Sequence, residues 1–151
     1  MKRKISKMIL IMLTAAICYS CIQVWYFTIT DTTDPSHPVF CVNLSKNCKG
    51  KGLSFNLLVV SETDEDGHDI RPMWAIEPRE DAPLKEITYG TVPNGWREVK
   101  PVIPLEVGKI YSVNGRYYFW FIKEGNKVRA EIEEVTDFIG KVHERQKKGK
   151  K

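Results

Sequence analysis

Hydrophobic and polar residues alternate along most of this chain with the two-residue period of β-strands. Val, Ile, Thr, Tyr, Phe and Trp occupy the alternate positions, and Gly, Pro, Asn and Asp recur every dozen or so residues. The candidate strands are Gln23–Thr30, Val39–Leu44, Leu53–Ser61, Arg71–Glu77, Trp96–Val99, Lys109–Val113, Tyr117–Lys123 and Lys127–Val135. Asn114-Gly115, between Ile110–Val113 and Tyr117–Ile122, predicts a type I′ hairpin, because both residues tolerate the positive φ that turn demands. A second hairpin is expected at Gly125-Asn126. Long amphipathic helical stretches are missing from the pattern, and Asp137–Lys141 predicts one helical turn.

Short strands joined by tight turns predict an all-β fold, a single antiparallel immunoglobulin-like β-sandwich, with a small barrel as the alternative. Five prolines between Pro78 and Pro104 (Pro78, Pro83, Pro93, Pro101, Pro104) confine that region to loops and short peripheral strands. The run Tyr117-Tyr118-Phe119-Trp120-Phe121 sends Tyr117, Phe119 and Phe121 to one face and Tyr118 and Trp120 to the other. One face is core. The second must be covered by a loop, by the C-terminal tail or by another molecule.

The N-terminus departs from this alternation. Lys2, Arg3, Lys4 and Lys7 precede an apolar run from Met8 to Ile17, and Cys18-Tyr19-Ser20-Cys21 follows, the layout of an export signal ending at a lipidated cysteine. Residues 1–20 are thus expected to be a signal peptide and Cys21 the lipid attachment point. An uncleaved anchor remains an alternative, because residues 8–30 carry no charge and match the length of a bilayer span, and ordinary cleavage is another. About 130 residues remain after such a signal, enough for one core. The domain is expected over residues 21–138 and a basic, unfolded tail over 139–151. Of the four cysteines, Cys18 leaves with the signal and Cys21 is lipidated, so Cys41 and Cys48 remain as an even pair for a disulfide.

The net charge of +4 says little about partners, since much of it sits in the signal and the tail. Nucleic acid is not expected as a partner of an exported chain. His37, His68 and His143 lie far apart without zinc-ligand spacing, and no phosphate loop or nucleophile elbow occurs, so neither an enzyme nor a cofactor or metal is expected. The segment Glu62-Thr63-Asp64-Glu65-Asp66-Gly67-His68-Asp69 approaches a calcium loop, but Met73 stands where the closing carboxylate belongs. It reads as a solvated hairpin that could meet a basic partner. Trp74 and Trp96 pose the same choice between core and contact surface. Asn43-Leu44-Ser45 is a glycosylation sequon by pattern alone.

The chain resembles the small lipoproteins of the bacterial periplasm that serve as type VI secretion immunity proteins. The residues that carry the resemblance are the signal ending in Cys21, Phe40-Cys41-Val42, the Pro83–Gly90 stretch continuing through Pro93-Asn94-Gly95-Trp96, and Pro104–Val113. It spans roughly residues 18–135; Cys18 in the lipobox and the basic tail depart from it. The resemblance implies direct binding to an antibacterial toxin, without chemistry by the immunity protein. Ile22 is not the Asp that retains lipoproteins in the inner membrane, so it also implies an outer-membrane address facing the periplasm. The contact candidates are Glu62, Asp64, Glu65, Asp66, Asp69, Trp74 and Trp96. A structural or assembly lipoprotein of an envelope apparatus, and a small-ligand or glycan module, are the alternative functions.

Overall fold

The computed structural model describes residues 25–148. Nine strands precede one helix: β1 Tyr26–Asp31, β2 Val39–Asn43, β3 Leu58–Thr63, β4 Asp69–Pro78, β5 Glu86–Thr88, β6 Trp96–Lys100, β7 Ile110–Val113, β8 Tyr117–Glu124, β9 Lys127–Glu134 and α1 Val135–Lys148. They form two antiparallel sheets, one in the order β1-β2-β5 and one in the order β6-β4-β3-β7-β8-β9. The fold is an all-β sandwich. An immunoglobulin domain of the antibody type joins its sheets with a disulfide. Here the Cys41–Cys48 disulfide, with Cα atoms 6.1 Å apart, closes a loop at the end of β2, and the two-sheet sandwich is the level at which the fold is established.

Alternation accounts for the core. Leu58 and Val60 on β3 face Ile76 and Trp74 on β4 across the register pairs Leu58↔Ile76 and Val60↔Trp74, and all four are buried. Opposite them the smaller sheet contributes Phe27, Phe40, Val42 and Ile87. Aromatic edges join the two layers: Phe40 meets Phe119 at 5.5 Å and Tyr89 at 5.9 Å, and Trp74 meets Tyr89 at 5.2 Å, all in T-shaped geometry. Such contacts add about 0.5–1.5 kcal/mol beyond the area they bury.

Both expected hairpins form. Asn114 and Gly115 have φ of 51° and 62°, and the Arg116 N–H donates to the Val113 carbonyl at 3.1 Å. Pairing resumes at Val113↔Tyr117, so Arg116 is an extra residue that accentuates the bend. Glu124↔Lys127 closes the second hairpin around Gly125-Asn126. As the prolines dictate, β5 and β6 are short and each lies at the edge of its sheet.

Two expectations need correction. The strand expected over Leu53–Ser61 is Leu58–Thr63, because residues 53–57 carry the chain from one sheet to the other: Leu53 makes a single bridge to Leu84, which leads into β5. The single turn expected over Asp137–Lys141 is a helix from Val135 to Lys148, which extends through most of the segment expected to be an unfolded tail. The cause is local burial. Phe138 and Val142, one turn apart, dock on Tyr118 in a cluster of their own.

Candidate functional site

The β3–β4 connection, Asp64 to His68, is an acidic hairpin tip with a fixed shape. The Asp64 carboxylate accepts the N–H groups of Asp66 at 3.0 Å and His68 at 2.8 Å. Its other oxygen faces His68 Nδ1 at 3.2 Å. The His68 N–H bond, and with it the His68 ring and the Asp66 N–H, hold the Asp64 carboxyl below its ordinary range despite partial desolvation. Gly67 closes the turn at φ 87°, with its N–H on the Asp64 carbonyl at 3.1 Å. A side chain there would meet Phe138 Cε1 at 3.1 Å and the Tyr118 hydroxyl oxygen at 3.3 Å. The Tyr118 hydroxyl donates to the Gly67 carbonyl at 3.1 Å, tying the tip to β8 and α1.

Glu65 and Asp66 stand exposed at this tip. Asp69, also exposed, accepts from Ser112 Oγ at 3.0 Å. Glu62 does not join them, which corrects its place among the contact candidates. It lies opposite Tyr111 and Arg71 in the sheet, where its side chain is 11% exposed and its carboxylate meets Lys109 Nζ at 3.0 Å and Arg71 Nε at 2.8 Å. The Lys109 bond, followed by that from Arg71, lowers its pKa against the opposing effect of desolvation. Among the described residues, no group of three or more His, Cys, Asp or Glu is placed to hold a metal ion.

Trp74 and Trp96 are corrected as well. Trp74 is fully buried, with Nε1 donating to Glu98 Oε1 at 3.2 Å, and Trp96 is 4% exposed in the same core. Trp74 shares its face with Val60 and Ile76, which the strand alternation already encodes. Asn43 of the sequon is 1% exposed and its Oδ1 accepts the Ser45 N–H at 3.1 Å, so a glycan has no access to it. Tyr118 is covered from within the chain, stacked on Phe138 at 4.2 Å and 7°, whereas Trp120, 6.5 Å from the same ring, stays half-buried and lines a cleft with Gly108, Ile110 and Phe138. Cys21 lies outside the described residues.

A second surface, unremarked in the strand pattern, surrounds the start of β1. Trp25 packs edge-on against Phe55 at 5.2 Å and Tyr117 at 5.0 Å, with the Arg116 guanidinium 5.6 Å from its ring. Trp25, Phe55, Leu57 and Asn114 line an open cleft of about 450 Å³. The disulfide-closed loop beside it exposes Leu44 and Lys46, the residues after Cys48 expose Lys49 and Lys51, and Lys46 Nζ lies 5.5 Å from the Tyr26 ring. The signal in the sequence was there, three lysines within six residues beside Cys48, but the Tyr26↔Asn43 pairing and the Lys46–Tyr26 contact are what place that loop at the start of β1.

The architecture thus defines the class: an antiparallel β-sandwich with an acidic hairpin at one end of β3 and an aromatic, lysine-flanked cleft at the other. No family model, curated protein or solved structure matches the chain.

Proposed function

We propose that this chain is an exported lipoprotein, anchored through Cys21 in the outer membrane and facing the periplasm, that neutralises a secreted antibacterial toxin by direct binding. The observation that carries the reading is the acidic hairpin. Its tip is exposed, its charge is of one sign, and its backbone is held by Asp64, Gly67 and the Tyr118 hydroxyl before any partner arrives. A loop ordered in advance loses less conformational entropy on binding, and like charges at its tip speed encounter with a basic partner. Glu65 and Asp66 are the principal contacts in this reading, with Asp64 shaping the turn and Asp69 fixing its return. Binding rather than catalysis is the activity, with no cofactor.

The test is to purify the chain from the envelope with the product of the adjacent gene, and to ask whether it rescues cells in which that product is delivered to the periplasm. A stable complex with rescue supports immunity. The absence of both complex and rescue refutes it. Glu65→Lys with Asp66→Lys should slow association about tenfold at low salt.

A further inference from the structure

Three observations converge where the described chain begins. Trp25 is only half-buried although it packs on Phe55 and Tyr117, and Leu57 and Leu44 nearby are 41% and 49% exposed. The adjoining loop, fixed by Cys41–Cys48, presents Lys46, Lys49 and Lys51 to solvent. Two nearby carboxylates are engaged: Asp81 accepts from Ser54 Oγ at 2.9 Å, and Glu134 pairs with Arg116 at 3.1 Å.

We infer that the face formed by Trp25, Phe55, Leu57, Lys46, Lys49 and Lys51 rests on the surface of an anionic phospholipid bilayer. The inference rests on the lipid anchor at Cys21 in the reading above. Four Cα steps separate Cys21 from Trp25, at most about 14 Å of chain, so a diacylated Cys21 keeps Trp25 within reach of the headgroup layer. Tryptophan favours that layer because its ring is apolar and its N–H still finds partners. Each lysine near an anionic surface strengthens attachment about fivefold. The acidic tip leaves from the other end of β3, roughly 17 Å along the strand, and so points away from the repelling phosphates. Membrane contact and toxin contact therefore occupy opposite ends of one strand.

The test uses the full chain, purified from membranes and reconstituted in vesicles of brominated phosphatidylglycerol or brominated phosphatidylcholine. Bromine quenches tryptophan only at contact; Trp74 and Trp96 are buried, Trp120 is half-buried beside α1, and the quenching lost in Trp25→Phe is the part that reports on Trp25. Quenching should be strong in phosphatidylglycerol. It should fall at least threefold in phosphatidylcholine, in about 0.5 M salt, and in the Lys46→Glu, Lys49→Glu, Lys51→Glu variant. Equal quenching in both lipids, or none, overturns the inference. So does shielding of Trp25 that follows protein concentration or a co-purifying protein, which would assign the face to a second copy or a protein partner. The mass of the same preparation shows whether Cys21 is acylated, so failure of the anchor and failure of the surface are separate outcomes.

Discussion

Phe138→Ala should detach α1 from the sheet while leaving the sandwich intact. Phe138 is 1% exposed, stacks on Tyr118 at 4.2 Å, and shares a cluster with only Tyr118 and Val142 as buried members, separate from the cluster that fills the sandwich. Truncating a buried Phe costs about 3–5 kcal/mol. The helix cannot lose more than its docking is worth, however, and a free 14-residue helix is marginal in water. The cost to global stability should therefore saturate near 3 kcal/mol, a fall in Tm of about 10 °C for a chain of this size. Hydrogen exchange resolves the two levels. Amides of residues 138–142 should lose their protection, Gly67 should loosen with the Tyr118 tether, and Tyr111 and Phe119 should stay protected. Unchanged helix protection with a Tm shift under about 2 °C would refute the docking argument. Equal loss at Phe119 would refute the separation of the two clusters.

Other outcomes follow from single contacts. Asn114 combines φ 51° with side-chain bonds to the Val59 N–H at 2.7 Å and the Leu57 carbonyl at 3.1 Å; Asn114→Gly should cost about 1–2 kcal/mol in urea unfolding, and Asn114→Ala about 1 kcal/mol more from backbone strain. Reducing the Cys41–Cys48 disulfide, which encloses only Val42–Asn47, should cost about 2–3 kcal/mol in the same assay. Glu62 has a folded pKa below its unfolded one, so its contribution is present above the unfolded value and disappears as pH falls through the folded value. Glu62→Gln should be less stable than the wild type at neutral pH, and the gap should close on acidification past that range; a constant gap in pH-dependent thermal melts would show that the charge is not the cause. Burial raises the pKa of Tyr89, Tyr111, Tyr117 and Tyr118, so stability should fall as pH climbs above their unfolded values near 10. Spectrophotometric titration of tyrosinate, with unfolding coincident with ionisation, checks this.

The strands were legible because period-two alternation, β-branched residues and two glycine turns all pointed the same way. Asn114-Gly115 needed no tertiary information, since its backbone demand is written in its own side chains. Residues 53–57 misled because Leu53, Phe55 and Leu57 alternate like a strand, yet they bridge two sheets and have a ladder partner only at Leu53. The helix was underestimated for a related reason. Its polar composition gives little cause to fold, and only the facing Tyr118 makes Phe138 and Val142 worth burying. At the acidic hairpin, spacing located the exposed tip correctly, whereas Glu62 looked equivalent to Asp64 until cross-strand Lys109 and Arg71 were placed against it. Trp74 and Trp96 were ambiguous because a tryptophan in sequence does not say which sheet face is sealed.

The Tyr117 hydroxyl donates to the Trp25 carbonyl, 92 residues away, and Thr32 Oγ1 donates to the Val128 carbonyl across 96. A chain stitched from its first strand to its last two cannot complete its nucleus while either end is still being delivered. Such remote closure places folding in the slow range of small β-proteins, milliseconds to seconds. In the export reading proposed above, this topology would act as a timer, holding the chain in a translocatable state until both ends arrive on the same side of the membrane.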